Sequence, residues 1–109
     1  MDDFQLIYKI LRILQKAMDL EEFDRNTLSA EALGLTEPKW SRIMAILLKE
    51  GYIFGGDTWN ALDCSYPKVS LVRPEITLKG LEYLAENSLM KKAAQTAAGI
   101  VTDVITKKL

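Results

Sequence analysis

The chain has no histidine, one cysteine, three prolines and no apolar run long enough to cross a bilayer. Each shortage removes a class of function. Without histidine, the commonest general base and the commonest neutral metal ligand are missing. Cys64 has no imidazole to activate it, and one cysteine cannot build an internal disulfide framework. Gly55-Gly56-Asp57 is too short for a phosphate-cradling loop. Catalysis is therefore not expected, and neither a metal nor a cofactor is implied. A spanning helix needs roughly 18 consecutive apolar residues. The start, Met1-Asp2-Asp3-Phe4, is acidic where a secretory leader needs positive charge, so a cytoplasmic protein is expected.

A surplus of charge of one sign is lacking too. Fourteen basic and fifteen acidic residues leave a net charge of −1. No segment forms a basic stripe; even residues 77–109 carry only five basic groups against three acidic ones. Binding to phosphates would depend on a few placed side chains and not on a bulk field. What is present is ordinary globular material, 49% hydrophobic and 27% charged over 109 residues, which fits one domain with its own core.

Hydrophobic spacing then orders the elements. Phe4, Ile7, Leu11, Leu14 and Met18 recur at three- and four-residue steps, widened by Ile10 and Ile13, which predicts a helix from Phe4 to about Leu20. Asp2 or Asp3 can cap it. The acidic run from Asp19 to Asp24 lacks the glycine and distal glutamate of a calcium loop and reads as a solvated loop. Ser29 to Gly34 reads as one short helix, with a serine cap and a closing glycine. Thr36-Glu37-Pro38 opens the next helix, which Gly51 closes. Two helices joined by a short glycine-containing turn form a helix-turn-helix. Tyr52–Phe54 and Val69–Val72 read as strands around a long loop, a wing. Thr77 caps a helix to about Glu86, and Ser88 opens a last one from Leu89 to about Lys107. The expected fold is mainly α with a small β-hairpin. It is a winged helix-turn-helix domain over residues 1–87, with an extra C-terminal helix over 88–109.

On a helical wheel of residues 36–50, Trp40, Ile43, Met44 and Leu47 share one side and are expected in the core. Pro38, Ser41, Arg42, Ala45 and Lys49 share the other, with Lys39 and Ile46 at the margin. A recognition helix in the major groove presents its early residues to bases, which singles out Lys39 and Arg42. Ser41 and Lys49 complete that face, and Trp59 and Lys68 are the wing candidates. The competing readings are that the cations only confer solubility, and that Trp59 folds back over the hairpin. The last helix offers Leu89, Ala93, Ala97, Ile100, Val101, Val104 and Ile105 as a broad apolar stripe, suited to a homodimer or to packing on its own domain.

Three local motifs resemble a known family. Glu50-Gly51-Tyr52-Ile53, Pro74-Glu75-Ile76-Thr77-Leu78-Lys79-Gly80 and Tyr83-Leu84 are similar to those of YjcQ-type proteins, small winged-helix proteins of Gram-positive bacteria and their phages. The resemblance implies the winged-helix fold and a phage or prophage setting, and it brings no catalytic residues. The expected function is a small DNA-binding protein, a (pro)phage-associated transcriptional regulator acting on double-stranded DNA. The alternative is a winged-helix protein-interaction module without nucleic-acid activity.

Overall fold

The computed structural model describes residues 2–87. The first helix, α1 (Asp3–Ala17), begins with a reciprocal cap: the Asp2 carboxylate accepts from the Gln5 N–H at 2.8 Å, while the Gln5 side chain accepts from the Asp2 N–H. It ends three residues before the expected Leu20, because residues 18–20 tighten into bonds of three-residue span. Its buried stripe is also rotated from the expected one. Leu6, Ile10, Leu11, Leu14 and Ala17 face inward, whereas Phe4 and Met18 are exposed. The four- and three-residue steps of both sets fit a helix equally well, and only packing against the other elements distinguishes them.

Past α1 the acidic run is exposed up to Glu22, then Asp24 caps a 3-10 turn (Arg25–Leu28) that delivers Leu28 into the core. The single-turn helix α2 (Ala30–Leu33) is capped by Ser29 and closed by Gly34. Thr36 then caps α3 (Glu37–Lys49), with Pro38 in its first turn. Trp40 is half-buried against the core, and its indole N–H donates to the Leu28 carbonyl at 2.6 Å, so α3 is tied to the segment before it.

The hairpin is longer than its sequence suggests. Strands β1 (Ile53–Trp59) and β2 (Lys68–Ile76) pair antiparallel, leaving residues 60–67 as the wing loop. Gly55, Gly56 and Asp57, expected in the loop, lie inside β1. The reason is a bulge. Phe54 pairs with Glu75 and Gly56 with Leu71, so Val72, Arg73 and Pro74 stand opposite Gly55 alone. Gly55 adopts φ +92°, and a β-carbon there would lie 2.0 Å from the Arg73 carbonyl oxygen. The glycine that looked like turn chemistry is bulge chemistry.

Helix α4 (Leu78–Glu86) returns from the hairpin onto α1. The core joins every layer: Leu6, Ile10, Leu11 and Leu14 from α1, Ile43, Met44 and Leu47 from α3, Ile53, Leu71 and Ile76 from the hairpin, Leu84 from α4. No buried side-chain polar atom among the described residues lacks a hydrogen-bond partner. This is a helix-turn-helix followed by a two-stranded wing, as expected. The expected last helix lies outside the described residues.

Beyond the outer edge of β2, two arginines hold the preceding segment. The Arg25 guanidinium donates to the Leu71 carbonyl at 2.7 Å, and Arg73 donates to the Leu20 carbonyl at 3.5 Å.

Candidate nucleic-acid interface

Helix α3 packs on both strands of the hairpin, and its inward side carries the core residues Ile43, Met44 and Leu47. At about 100° per residue its buried arc covers more than half of the circumference. Ser41 and Ala45, each 4% exposed, fall within that arc. Ser41 is therefore not available to a nucleic acid, contrary to the expectation from the wheel. A side that the helix's own sequence presents as polar is thus buried in the fold.

What α3 leaves open is a narrower stripe of Lys39, Arg42, Ile46 and Lys49. These positions fall within roughly 80° of one another and span about 15 Å along the axis. The Lys39 ammonium lies 2.6 Å from the Asp3 carboxylate, so the first cation of the stripe is paired with the start of α1. Arg42 is exposed and donates through Nη2 to the Ser65 carbonyl at 3.3 Å, which holds the wing loop beside α3. Lys49 is exposed at the helix end. Ile46 is 49% exposed in the middle of these cations.

On the wing, Trp59 and Lys68 are direct cross-strand partners at the end of the ribbon remote from the core. Both are exposed, Trp59 by half, and the strand alternation places them on the face opposite Leu71. The Thr58 hydroxyl donates to the Lys68 carbonyl at 2.8 Å and fixes that strand end. Trp59 is thus not folded away. The structure brings Arg42 to the wing loop, sets Trp59 against Lys68, and leaves Lys49 at the far end of the stripe. Sequence reasoning missed two features, the Arg42–Ser65 tie and the central place of Ile46. The second had a signal, since Ile46 lies one turn beyond Arg42.

The residues expected at a dimer interface, Leu89, Ala93, Ala97, Ile100, Val101, Val104 and Ile105, lie outside the described residues. Among the described residues, no three His, Cys, Asp or Glu side chains come together as a metal-holding group, and no helix is long and apolar enough to cross a membrane.

The family model of the YjcQ protein matches residues 8–104, from the first helix of this fold to near the chain's end. The chain belongs to the YjcQ family. A Bacillus subtilis (strain 168) relative, named Uncharacterized protein YjcQ, is 36% identical over 84 residues, covering 76% of this chain and 85% of the relative. No solved structure matches. The YjcQ match takes in α3, the hairpin and α4, so Arg42, Trp59 and Lys68 all lie within the family region.

Proposed function

We propose that this YjcQ-family chain is a small winged-helix DNA-binding protein, a (pro)phage-associated transcriptional regulator that works in the cytoplasm and catalyses no reaction. The observation that supports this reading most is the exposed stripe of α3. It places Lys39, Arg42 and Lys49 on one side of the second helix of a helix-turn-helix, with the wing loop held next to it by Arg42. In this reading α3 enters the major groove. Arg42 meets a base edge or phosphate, Lys49 a backbone phosphate, and the Trp59–Lys68 pair the flanking backbone.

With Lys39 already paired to Asp3, three further cations, Arg42, Lys49 and Lys68, on a chain of net charge −1 give weak, salt-sensitive binding. A titration of the full chain with mixed-sequence duplex at about 50 mM salt should give dissociation constants in roughly the micromolar range, with log affinity falling by about 2–3 per decade of salt. Arg42→Ala should lower that slope by about 1. No binding at low salt would reject the DNA reading and leave the protein-interaction module. A second copy, expected through residues 89–109, would double the contacts, and light scattering on the full chain measures that mass directly.

A further inference from the structure

The wing needs its own attachment to the body beyond the bulge. Val72, Arg73 and Pro74 stand opposite Gly55 alone, so the pairing that begins at Ile53 and Phe54 is interrupted there and resumes between Gly56 and Leu71. Two kinds of contact hold Leu71. Its side chain is buried in the core, with Val69 packed partly beside it, and its carbonyl accepts from the Arg25 guanidinium at 2.7 Å. Apolar burial has no preferred direction, whereas a charge-assisted hydrogen bond fixes one. Arg25 is itself well seated: Asp24 caps its 3-10 turn, and Leu28 at the end of that turn is fully buried. The other arginine tie to the wing, from Arg42 to the Ser65 carbonyl at 3.3 Å, uses a side chain that the DNA-binding reading assigns to the duplex.

We infer that Arg25 is a positioning residue, which aims the wing so that Trp59 and Lys68 reach the same duplex as α3. This role rests on the DNA-binding reading above, and the experiment separates the two. Lys68 lies three residues from Leu71 on β2, about 10 Å along the strand. A turn of roughly 15–20° at Leu71 would carry Lys68 by about 3 Å, as much as the whole length of a hydrogen bond to phosphate. Arg25 acts through the wing and does not itself touch the duplex. The full chain is titrated with mixed-sequence duplex over a range of salt as wild type, Lys68→Ala, Arg25→Met and the double variant, each confirmed as folded by circular dichroism. Arg25→Gln gives the same comparison should Arg25→Met not fold. Lys68→Ala should lower the salt slope by about 1. Arg25→Met should lower it as much, and the double variant no further than either alone, because one contact cannot be lost twice. Arg42→Ala added to Arg25→Met should still lower the slope by about 1, since the contact of α3 is untouched. Additive losses in the double variant would make Arg25 a phosphate contact in its own right, and an unchanged slope in Arg25→Met or in Lys68→Ala would leave it nothing to position. Each of these results overturns the role of Arg25 while DNA binding stands. Absence of wild-type binding at about 50 mM salt would overturn both.

Discussion

The hydroxyl of Thr77 donates to the carbonyl of Gly51 at 2.6 Å, joining the start of α4 to the end of α3. The same oxygen accepts from the Gly80 N–H at 3.1 Å, which caps α4. Beside it the Lys79 ammonium bonds the Glu50 carbonyl and lies 4.8 Å from the centroid of the Tyr52 ring. Tyr52 in turn meets Tyr83 edge to face at 5.7 Å. A β-carbon on Gly80 would stand 2.6 Å from the Tyr52 carbonyl oxygen, so only glycine allows the two segments this close. The motifs around residues 50–53, 74–80 and 83–84 are therefore one joint of the fold, and they speak to architecture more than to ligand. Thr77→Val keeps the shape and removes both bonds. It should cost about 1–3 kcal/mol in denaturant unfolding, whereas Thr77→Ser should recover most of that.

Gly55 is the second position where a methyl group is too much. With φ at +92° and the Arg73 carbonyl against it, Gly55→Ala must push the bulge open. The expected loss is at least about 1–3 kcal/mol, from the strained backbone alone. Gly34→Ala gives a useful comparison. It also has positive φ, but nothing lies within 4 Å of its would-be β-carbon, so its loss should be the smaller of the two. Equal thermal melts for the two variants would contradict the bulge.

The Asp3–Lys39 pair predicts a gain of function. Asp3 sits at the edge of the exposed stripe and neutralises its first cation. Asp3→Asn should tighten duplex binding by about two- to five-fold at low salt, and the gain should shrink as salt rises. Both side chains are well exposed, so the cost to stability should stay below about 1 kcal/mol. Unchanged affinity would mean that Lys39 takes no part in binding.

Tyr83 predicts a pH dependence. Burial raises its phenol above the usual value of 10, helped by neighbouring Tyr52 and by Asp2, and its hydroxyl donates to the Phe4 carbonyl at 3.4 Å. The folded state therefore holds this proton more tightly than the unfolded chain does. The contribution is fully present below pH 10 and is lost as pH rises from there through the folded pKa. Chemical denaturation between pH 9 and 11 should show wild type losing stability over that range, and Tyr83→Phe losing less.

Much of this was legible from sequence because it depends on near neighbours. Asp2, Ser29, Thr36 and Thr77 each cap the helix that the pattern of side chains announces, and Gly34 and Gly51 mark where two of the helices stop. Apart from the early end of α1, which is set by local bonds, the misreadings have a common cause in contacts distant along the chain. Gly55-Gly56-Asp57 has the composition of a turn, and only the pairing of Gly56 with Leu71 and of Asp57 with Ser70 on β2 makes it a strand. Ser41 and Ala45 look like the open side of an amphipathic helix, and only the packing of α3 into the fold shows that they are buried. A helical wheel resolves direction but not what lies in that direction, which is why it named Arg42 and Lys49 correctly as exposed and Ser41 wrongly.

The arginine contacts along β2 make the ribbon asymmetric as a template. An unpaired strand edge invites another chain to add to it, and proteins guard against this with bulges, prolines and charged cover. β2 has all three: Val72-Arg73-Pro74 breaks its register, Pro74 offers no N–H, and Arg25 already occupies the Leu71 carbonyl. The edge of β1 is different, since it borders an open groove of about 300 Å³ lined by Leu48, Lys49 and the strand itself from Ile53 to Thr58. Sheet growth is thereby blocked on one flank, so a strand added from outside, by a partner or by misassembly, has to arrive along β1 next to the end of α3.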